Sequence, residues 1–351
     1  MALQQVSQGL EEYNVKRIFR NLIAVLVVLG LFAGLAVAQG YPWQPNRPIT
    51  IIVPWAAGGS TDQVTRVIAS ELEGALGVSV VVVNQPGASG SIGTANALAA
   101  DKDGYTWAAG AIRDVGTYVV LGMLDTKVED WHPYFAVSNT SIVTVNPNTP
   151  YQTFDQLLAA FEANPGRITV STAGLSSAGH TVMENIAQAA GLTYSHIPYD
   201  GGNPAVIATV AGEAEVNTQL AVEQAEMLRA GRLRALAVYA NKALVLDGVG
   251  EIPPITDWMP DLIIPSNYFG IWAPVGIPEA VVETMNMVWE NVIMDSEALR
   301  SYAAERGALF NPMYGDAALV EAGPSIAHQA WTLYDGDKAI ISPADVGIER
   351  P

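Results

Sequence analysis

Strand-like and helix-like runs of apolar residues alternate along most of this chain. Ile49–Val53 (ITIIV) is a short β-branched run of the kind that forms a buried strand. Pro54 stops it, and Trp55-Ala56-Ala57-Gly58-Gly59 gives a loop of mostly small residues. From Ser60 the period changes. Val64, Ile68, Leu72 and Leu76 recur every four residues as one buried helical stripe, Ser60 and Gln63 have capping-box spacing, and Gly77 ends the helix. Residues 78–84 (VSVVVVN) read as a second buried strand, 85–91 (QPGASGS) as a second small-residue loop, 92–100 as a helix and 105–109 as a third strand. This alternation predicts a mostly parallel sheet. Its strand-end loops, 54–60, 85–91 and 110–114, would face one crevice.

The second half restarts the pattern. Residues 131–139 show no clean period, 141–146 read as a strand, and 153–164 as a helix capped by Thr153, with Phe154, Leu157, Leu158 and Phe161 on one face. Residues 167–186 repeat the opening grammar: a short strand at 168–171, a loop of small and hydroxyl residues at 172–177, then a helix capped by Ser176 or Ser177. Val182, Met183, Ile186 and Ala190 form its apolar face. Strands at 194–198, 215–220 and 234–238 alternate with helices at 204–211 and 222–230. A Pro-rich, irregular stretch at 247–265 leads to a strand at 267–273 that returns to the first domain. Pro278 then opens a helix with Val281, Met285, Val288 and Val292 on one side, and helices near 296–306 and 315–334 follow.

The N-terminus reads as a processing segment. Lys16, Arg17 and Arg20 precede an apolar run at 22–37, and Ala36-Val37-Ala38 is a small-x-small cleavage site. The run is interrupted by Gly30 and Gly34 and is short for a spanning helix, which needs about 20 residues. Cleavage after Ala38 leaves 313 of the 351 residues, enough for two domains. The absence of cysteine rules out disulfides, thiol catalysis, cysteine zinc sites and a lipidated N-terminal cysteine. A periplasmic protein free in solution is therefore expected. A net charge of −18 excludes a basic stripe for nucleic acid or anionic membrane.

The opening strand, loop and helix together make an anion cradle. Loop N–H groups point outward, and the helix dipole adds about half a positive charge. Catalytic signatures are missing: there is no Walker A motif, no G-x-G-x-x-G, no G-x-S-x-G and no H-E-x-x-H. His132, His180, His196 and His328 lack metal-ligand spacing. A hydrolytic triad of Ser60, Asp62 and His180 fits poorly, because Asp62 falls in the first turn of a helix, where an acid is explained by the dipole. His180 reads equally as a structural histidine or a cleft-facing one. Trp55, Tyr199 and Trp272 could line a cleft or sit in the core, and Ser89 and Ser91 could reach a ligand or serve a turn. Neither small-residue loop contains Lys or Arg. A carboxylate would then be held by N–H dipoles, hydroxyls and water. Such bonds are worth roughly 1.5–3 kcal/mol each, against about 8 kcal/mol for micromolar affinity.

Six segments in one order carry a resemblance: VPWAAGGSTD at 53–62, VNQPGASGSIG at 83–93, DGYT at 103–106, STAGLSSAGH at 171–180, HIPYDG at 196–201 and RLRALAV at 232–238. Together, over about residues 41–335, the chain resembles the extracytoplasmic solute receptors of the tripartite tricarboxylate transporter family, the Bug receptors. The resemblance implies an α/β, type II periplasmic-binding-protein-like fold, with two lobes, a hinge and an inter-lobe ligand cleft. Lobe 1 would comprise 41–142 and 267–351, and lobe 2 would comprise 143–266. It further implies a small organic carboxylate as ligand, membrane permease subunits as partners, a monomer, no cofactor, no metal and no catalytic residue. The ligand-binding set maps to Trp55, Ala56, Ala57, Gly58, Gly59, Ser60, Thr61, Asp62 and Ser89 in the first lobe. In the second it maps to Thr172, Gly174, Ser176, Ser177, His180, Tyr199, Asp200 and Gln219. The sequence departs from the family at Asp200, where lysine is usual, at Gln219, where aspartate is usual, and at Ala56-Ala57, which replace a proline pair. Two other readings share the same cleft: a ligand sensor for a membrane kinase, and a secreted hydrolase.

Overall fold

The computed structural model describes residues 40–351, so the secretory segment expected at 1–38 lies outside the described residues. From Trp43 to Pro351 the chain packs as one unit. In chain order it begins with β1 (Ile49–Val53), α1 (Ser60–Leu76), β2 (Val80–Asn84), α2 (Ser91–Leu98), β3 (Thr106–Ala111), the short α3 (Ile112–Thr117) and β4 (Trp131–Asn139). Next come β5 (Ile142–Val145), α4 (Phe154–Ala163), β6 (Thr169–Thr172), α5 (Ala178–Ala190), β7 (Ser195–Pro198), α6 (Gly202–Ala211), β8 (Val216–Asn217), α7 (Ala221–Arg229) and β9 (Arg234–Val238). A small hairpin, β10 (Leu244–Leu246) and β11 (Gly250–Ile252), precedes β12 (Tyr268–Pro274), α8 (Glu279–Asn291), α9 (Glu297–Arg306), β13 (Ala308–Tyr314) and α10 (Gly315–Asp335).

Two sheets result. The larger runs β13-β4-β12-β3-β1-β2, and the smaller runs β7-β6-β8-β5-β9. The parallel part of each is the part the strand–helix alternation dictates: β1 pairs parallel with β2 and β3, and β6 with β7 and β8. The remaining pairings are antiparallel, so both sheets are mixed rather than mostly parallel. β12 does return to the first sheet, between β3 and β4. The cores are separate. Val170, Val182, Met183 and Ile186 pack against Phe154, Leu157 and Phe161 in one lobe. Ile52, Ala108, Trp131 and Trp272 pack in the other.

Several elements depart from the sequence reading for identifiable reasons. β4 showed no period because eight of its nine residues are buried, so nothing polar alternates. β2 is an edge strand with Val81 45% exposed, not a fully buried one. Ser60 is not the cap of α1. Gly59 takes that place, and the Gln63 amide donates to the Gly58 carbonyl instead (2.7 Å). Ala190 is exposed on the last turn of α5. Val292 lies past the end of α8, where Trp289 fills the buried position. The strand at 215–220 shrinks to two residues, and the Pro-rich stretch is not irregular throughout: it contains β11, the second strand of the hairpin. Thr153 caps α4 as expected, accepting from the Gln156 N–H (3.4 Å).

Candidate functional site

Pro54 turns the chain away from β1 into the first jaw, where the backbone doubles back before α1 can start. Gly58 adopts φ +82°, a left-handed conformation that glycine reaches without strain. Asp62 braces this turn. Its carboxylate accepts from the Gly58 N–H (2.9 Å), from Arg66 Nη2 and Nε (2.8 and 3.1 Å) and from the Asn84 amide (3.0 Å). Burial pushes the Asp62 carboxyl upward, but the Arg66, Gly58 and Asn84 contacts outweigh it and hold the group below its ordinary range. With all its bonds made there, Asp62 is a structural brace rather than a triad member.

The second jaw follows β6. Ser177 caps α5, accepting from the His180 N–H (3.3 Å). The Thr172 hydroxyl lies 2.7 Å from His196 Nε2 and accepts from the Gly174 N–H (3.2 Å). His180 is fully buried: Nδ1 sits 3.1 Å from the Leu175 carbonyl and Nε2 3.4 Å from Glu184. All of these contacts stay within its own lobe, which fits the structural reading. The neighbouring His196 is pushed down to about 4, by burial first and then by His180.

The jaws meet through backbone groups and serine hydroxyls. Ala56 N–H donates to the Asp200 carbonyl (3.0 Å), and Leu175 N–H donates to Ser89 Oγ (3.1 Å). The Ser176 hydroxyl donates to the Ser89 carbonyl (2.7 Å). Between the jaws remains a cavity of about 20 Å³, room for roughly one water. Of the residues singled out from the sequence, Trp55, Gly59, Ser60, Thr61, Ser177 and Gln219 line it. Ser89, Gly174 and Ser176 form the closure contact beside it. Ala57 and the Asp200 side chain are exposed, and the Tyr199 hydroxyl donates outside the cavity to Glu213 (3.2 Å). Trp272 belongs to the core.

Two acids line the cavity that the sequence reading had not singled out. Glu223 on α7 reaches across to the other jaw, where its carboxylate accepts from the Ser60 N–H (2.9 Å) at the start of α1, and also from its own Leu220 N–H (3.3 Å). With its amide turned so that nitrogen faces acid, Gln219 donates to the same carboxylate (3.1 Å) while its oxygen accepts from the Ala173 N–H (2.6 Å). Gly202 leaves room for this arrangement, since a Cβ there would fall 2.0 Å from the Glu223 carboxylate and push that side chain aside. Burial raises the Glu223 pKa against these bonds. Asp114, at the start of α3, is buried with Oδ1 unpartnered. Burial pushes it up to about 7 despite the Arg113 charge beside it. The signals were present: an acid three residues into α7, and an acid in the 110–114 loop. Among the described residues no Lys or Arg lines this cavity.

A model of the tripartite tricarboxylate transporter family receptor matches residues 64–319. The chain belongs to this receptor family. The family is one of transport receptors, not of enzymes. The receptor is 30% identical over 292 residues to BugT of Bordetella pertussis, covering 81% of this chain and 89% of that one. Its fold is that of the periplasmic binding protein BugD, with a TM-score of 0.77 at 22% identity over 84% of this chain and 99% of BugD. Rhodopseudomonas palustris MatC, solved with bound malate, gives a TM-score of 0.73 at 22% identity over 83% and 99% of the two chains. Among the described residues, no helix is long and apolar enough to cross a membrane, and no group of acids and histidines could hold a metal ion.

Proposed function

We propose that this receptor works outside the cytoplasm, captures one small organic carboxylate between its lobes, and delivers it to the permease subunits of a tripartite tricarboxylate-type transporter. It acts as a periplasmic monomer, exported by its N-terminal segment. One observation carries the ligand class: the N-terminus of α1 already holds a carboxylate, that of Glu223. A backbone N–H and a helix dipole suited to one carboxylate suit another. Ligand entry then means parting the jaws and displacing Glu223 from Ser60, with Thr61 and Ser177 nearby to supply further donors. The malate in MatC is a ligand of this class.

A thermal-shift panel of mono-, di- and tricarboxylates tests the reading. One or a few should raise the Tm, because ligand binds only the folded state; at a hundredfold excess over Kd this amounts to about 2.7 kcal/mol. A panel that leaves the Tm unmoved overturns the carboxylate reading. Gly59→Val should abolish the shift, because the new side chain would enter the space between Ala56 and Glu223.

A further inference from the structure

A second cavity, of about 360 Å³, lies where the chain crosses between the lobes. Its floor is built from the ends of two strands. Asn139 closes β4 and Asn267 precedes β12, and the Asn139 N–H donates to the Asn267 carbonyl (2.9 Å), which sets the two side by side. The Tyr239 N–H in turn donates to the Ser141 carbonyl (2.8 Å) on the other crossing segment. Three floor side chains are almost fully buried: Arg113 at 5%, Asn139 at 7% and Asn267 at 4% exposure. Arg113 Nε and both amide atoms of each asparagine have no hydrogen-bond partner. A buried polar group left unpaired is costly, and more so if charged, so three cavity-lining side chains that carry five such atoms are a strong demand for a polar ligand. Val182, Val238, Leu244 and Ile264 line the cavity above the floor, and Lys242 stands exposed at the mouth. Among the described residues no Asp or Glu lines it, in a chain of net charge −18.

We propose that this hinge cavity is a second ligand site, for a monocarboxylate with a compact apolar body. Its carboxylate is received by Arg113 and by the amide groups of Asn139 and Asn267, and its body rests on the aliphatic walls. The carboxylate adds to the Asp114 charge in balancing Arg113, and its oxygens accept from donors that otherwise have no acceptor. The amide oxygens take water or a ligand hydroxyl. A polar head on a mostly apolar wall is the usual make-up of a small-molecule site. Because the floor belongs to segments that cross between the lobes, a ligand here also braces the hinge.

Calorimetric titration of the purified full chain with benzoate tests this, with benzyl alcohol as the uncharged control. The expected result is one benzoate site and at least tenfold weaker binding of the alcohol. Arg113→Gln should weaken benzoate at least tenfold. Ala243→Trp, at the exposed mouth, should block entry while leaving the floor intact, and it decides the matter if Arg113→Gln fails to fold. Gly59→Val, in the other cavity, separates the two sites and should leave benzoate binding in place. Three results overturn the proposal: no binding of benzoate, as for a cavity that holds water only; unchanged affinity in Ala243→Trp; or loss of binding in Gly59→Val alone, which would put benzoate between the jaws.

Discussion

Arg113 and Asp114 are neighbours on α3, yet they line different cavities of opposite character. The cavity between the jaws is lined by Asp114 and Glu223 and by no base. The cavity at the hinge is lined by Arg113 and Lys242 and by no acid. The first can take an anion only through backbone N–H groups and a helix dipole, and its own Glu223 competes for them. The second offers a full side-chain charge and three buried polar side chains with free hydrogen-bonding atoms. In a chain this acidic, anion binding is therefore a local matter. Screening confines distant charge to about 8 Å, and what decides each cavity is the handful of groups that face it.

The largest expected effect comes from the acid at the seam. Burial pushes the Asp114 carboxyl up to about 7 in the folded protein, well above the ordinary aspartate range near 3.8, with the Arg113 charge pulling it part of the way back and the Tyr118 hydroxyl nearby. A carboxyl raised by folding binds more protons folded than unfolded, so its presence lowers stability as pH climbs from about 4 to about 7. The upper limit of that loss is about 4 kcal/mol. Asp114→Asn should remove it. Urea unfolding at pH 4.5, 6 and 7.5 should show the variant gaining on the wild type across this window and holding its lead above it. A constant difference at all three values would mean that Asp114 is not the strained group. Adding Arg113→Gln to the wild type should extend the loss to higher pH, because the counter-charge is gone.

Much of this architecture was legible because it rests on local pattern. The Val64–Ile68–Leu72 stripe, the Gly77 stop and the Thr153 and Ser177 caps are short-range signals, and the parallel strand–loop–helix units follow from them. What failed was pattern erased by tertiary burial or by edges. β4 is covered on both faces and loses its period, while β13 carries Pro312 and is only half buried. The jaw loops were legible as loops between strand and helix from their small residues. Glu223 was not, because its meaning lies in a contact between residues 163 positions apart. The hinge cavity was least visible of all: Arg113, Asn139 and Asn267 are scattered singly in sequence and meet only through sheet topology.

The next effect in size tests whether the jaws compete with their ligand. Glu223→Gln leaves the side chain's shape and its oxygen but removes the charge from the N-terminus of α1. Charge-assisted hydrogen bonds are worth roughly 1.5–3 kcal/mol, and each 1.4 kcal/mol is tenfold in affinity. Whichever carboxylate raises the Tm should bind the variant about tenfold more tightly, while benzoate at the hinge should bind as before. Equal or weaker carboxylate binding would show that Glu223 does not stand in for the ligand.

The smallest effect concerns closure itself, on which the two cavities should depend differently. Ser89 holds φ +53°, uncommon for a side-chain-bearing residue, and from there it serves the opposite lobe twice: its Oγ accepts from the Leu175 N–H and its carbonyl accepts from the Ser176 hydroxyl. Ser89→Ala removes only the first bond and leaves the Leu175 N–H to find water once the jaws part. The net cost is about 1 kcal/mol, roughly a fivefold shift of the closed–open balance. Single-molecule distance measurements between labels on the two lobes should show more of the open form. Carboxylate binding between the jaws should weaken by the same factor, because closure completes that cavity. Benzoate should respond less, since the floor at Arg113, Asn139 and Asn267 is assembled by the crossing strands whether or not the jaws meet. An equal loss at both sites would instead mean that the hinge cavity forms only on closure, and that the two cavities act as one.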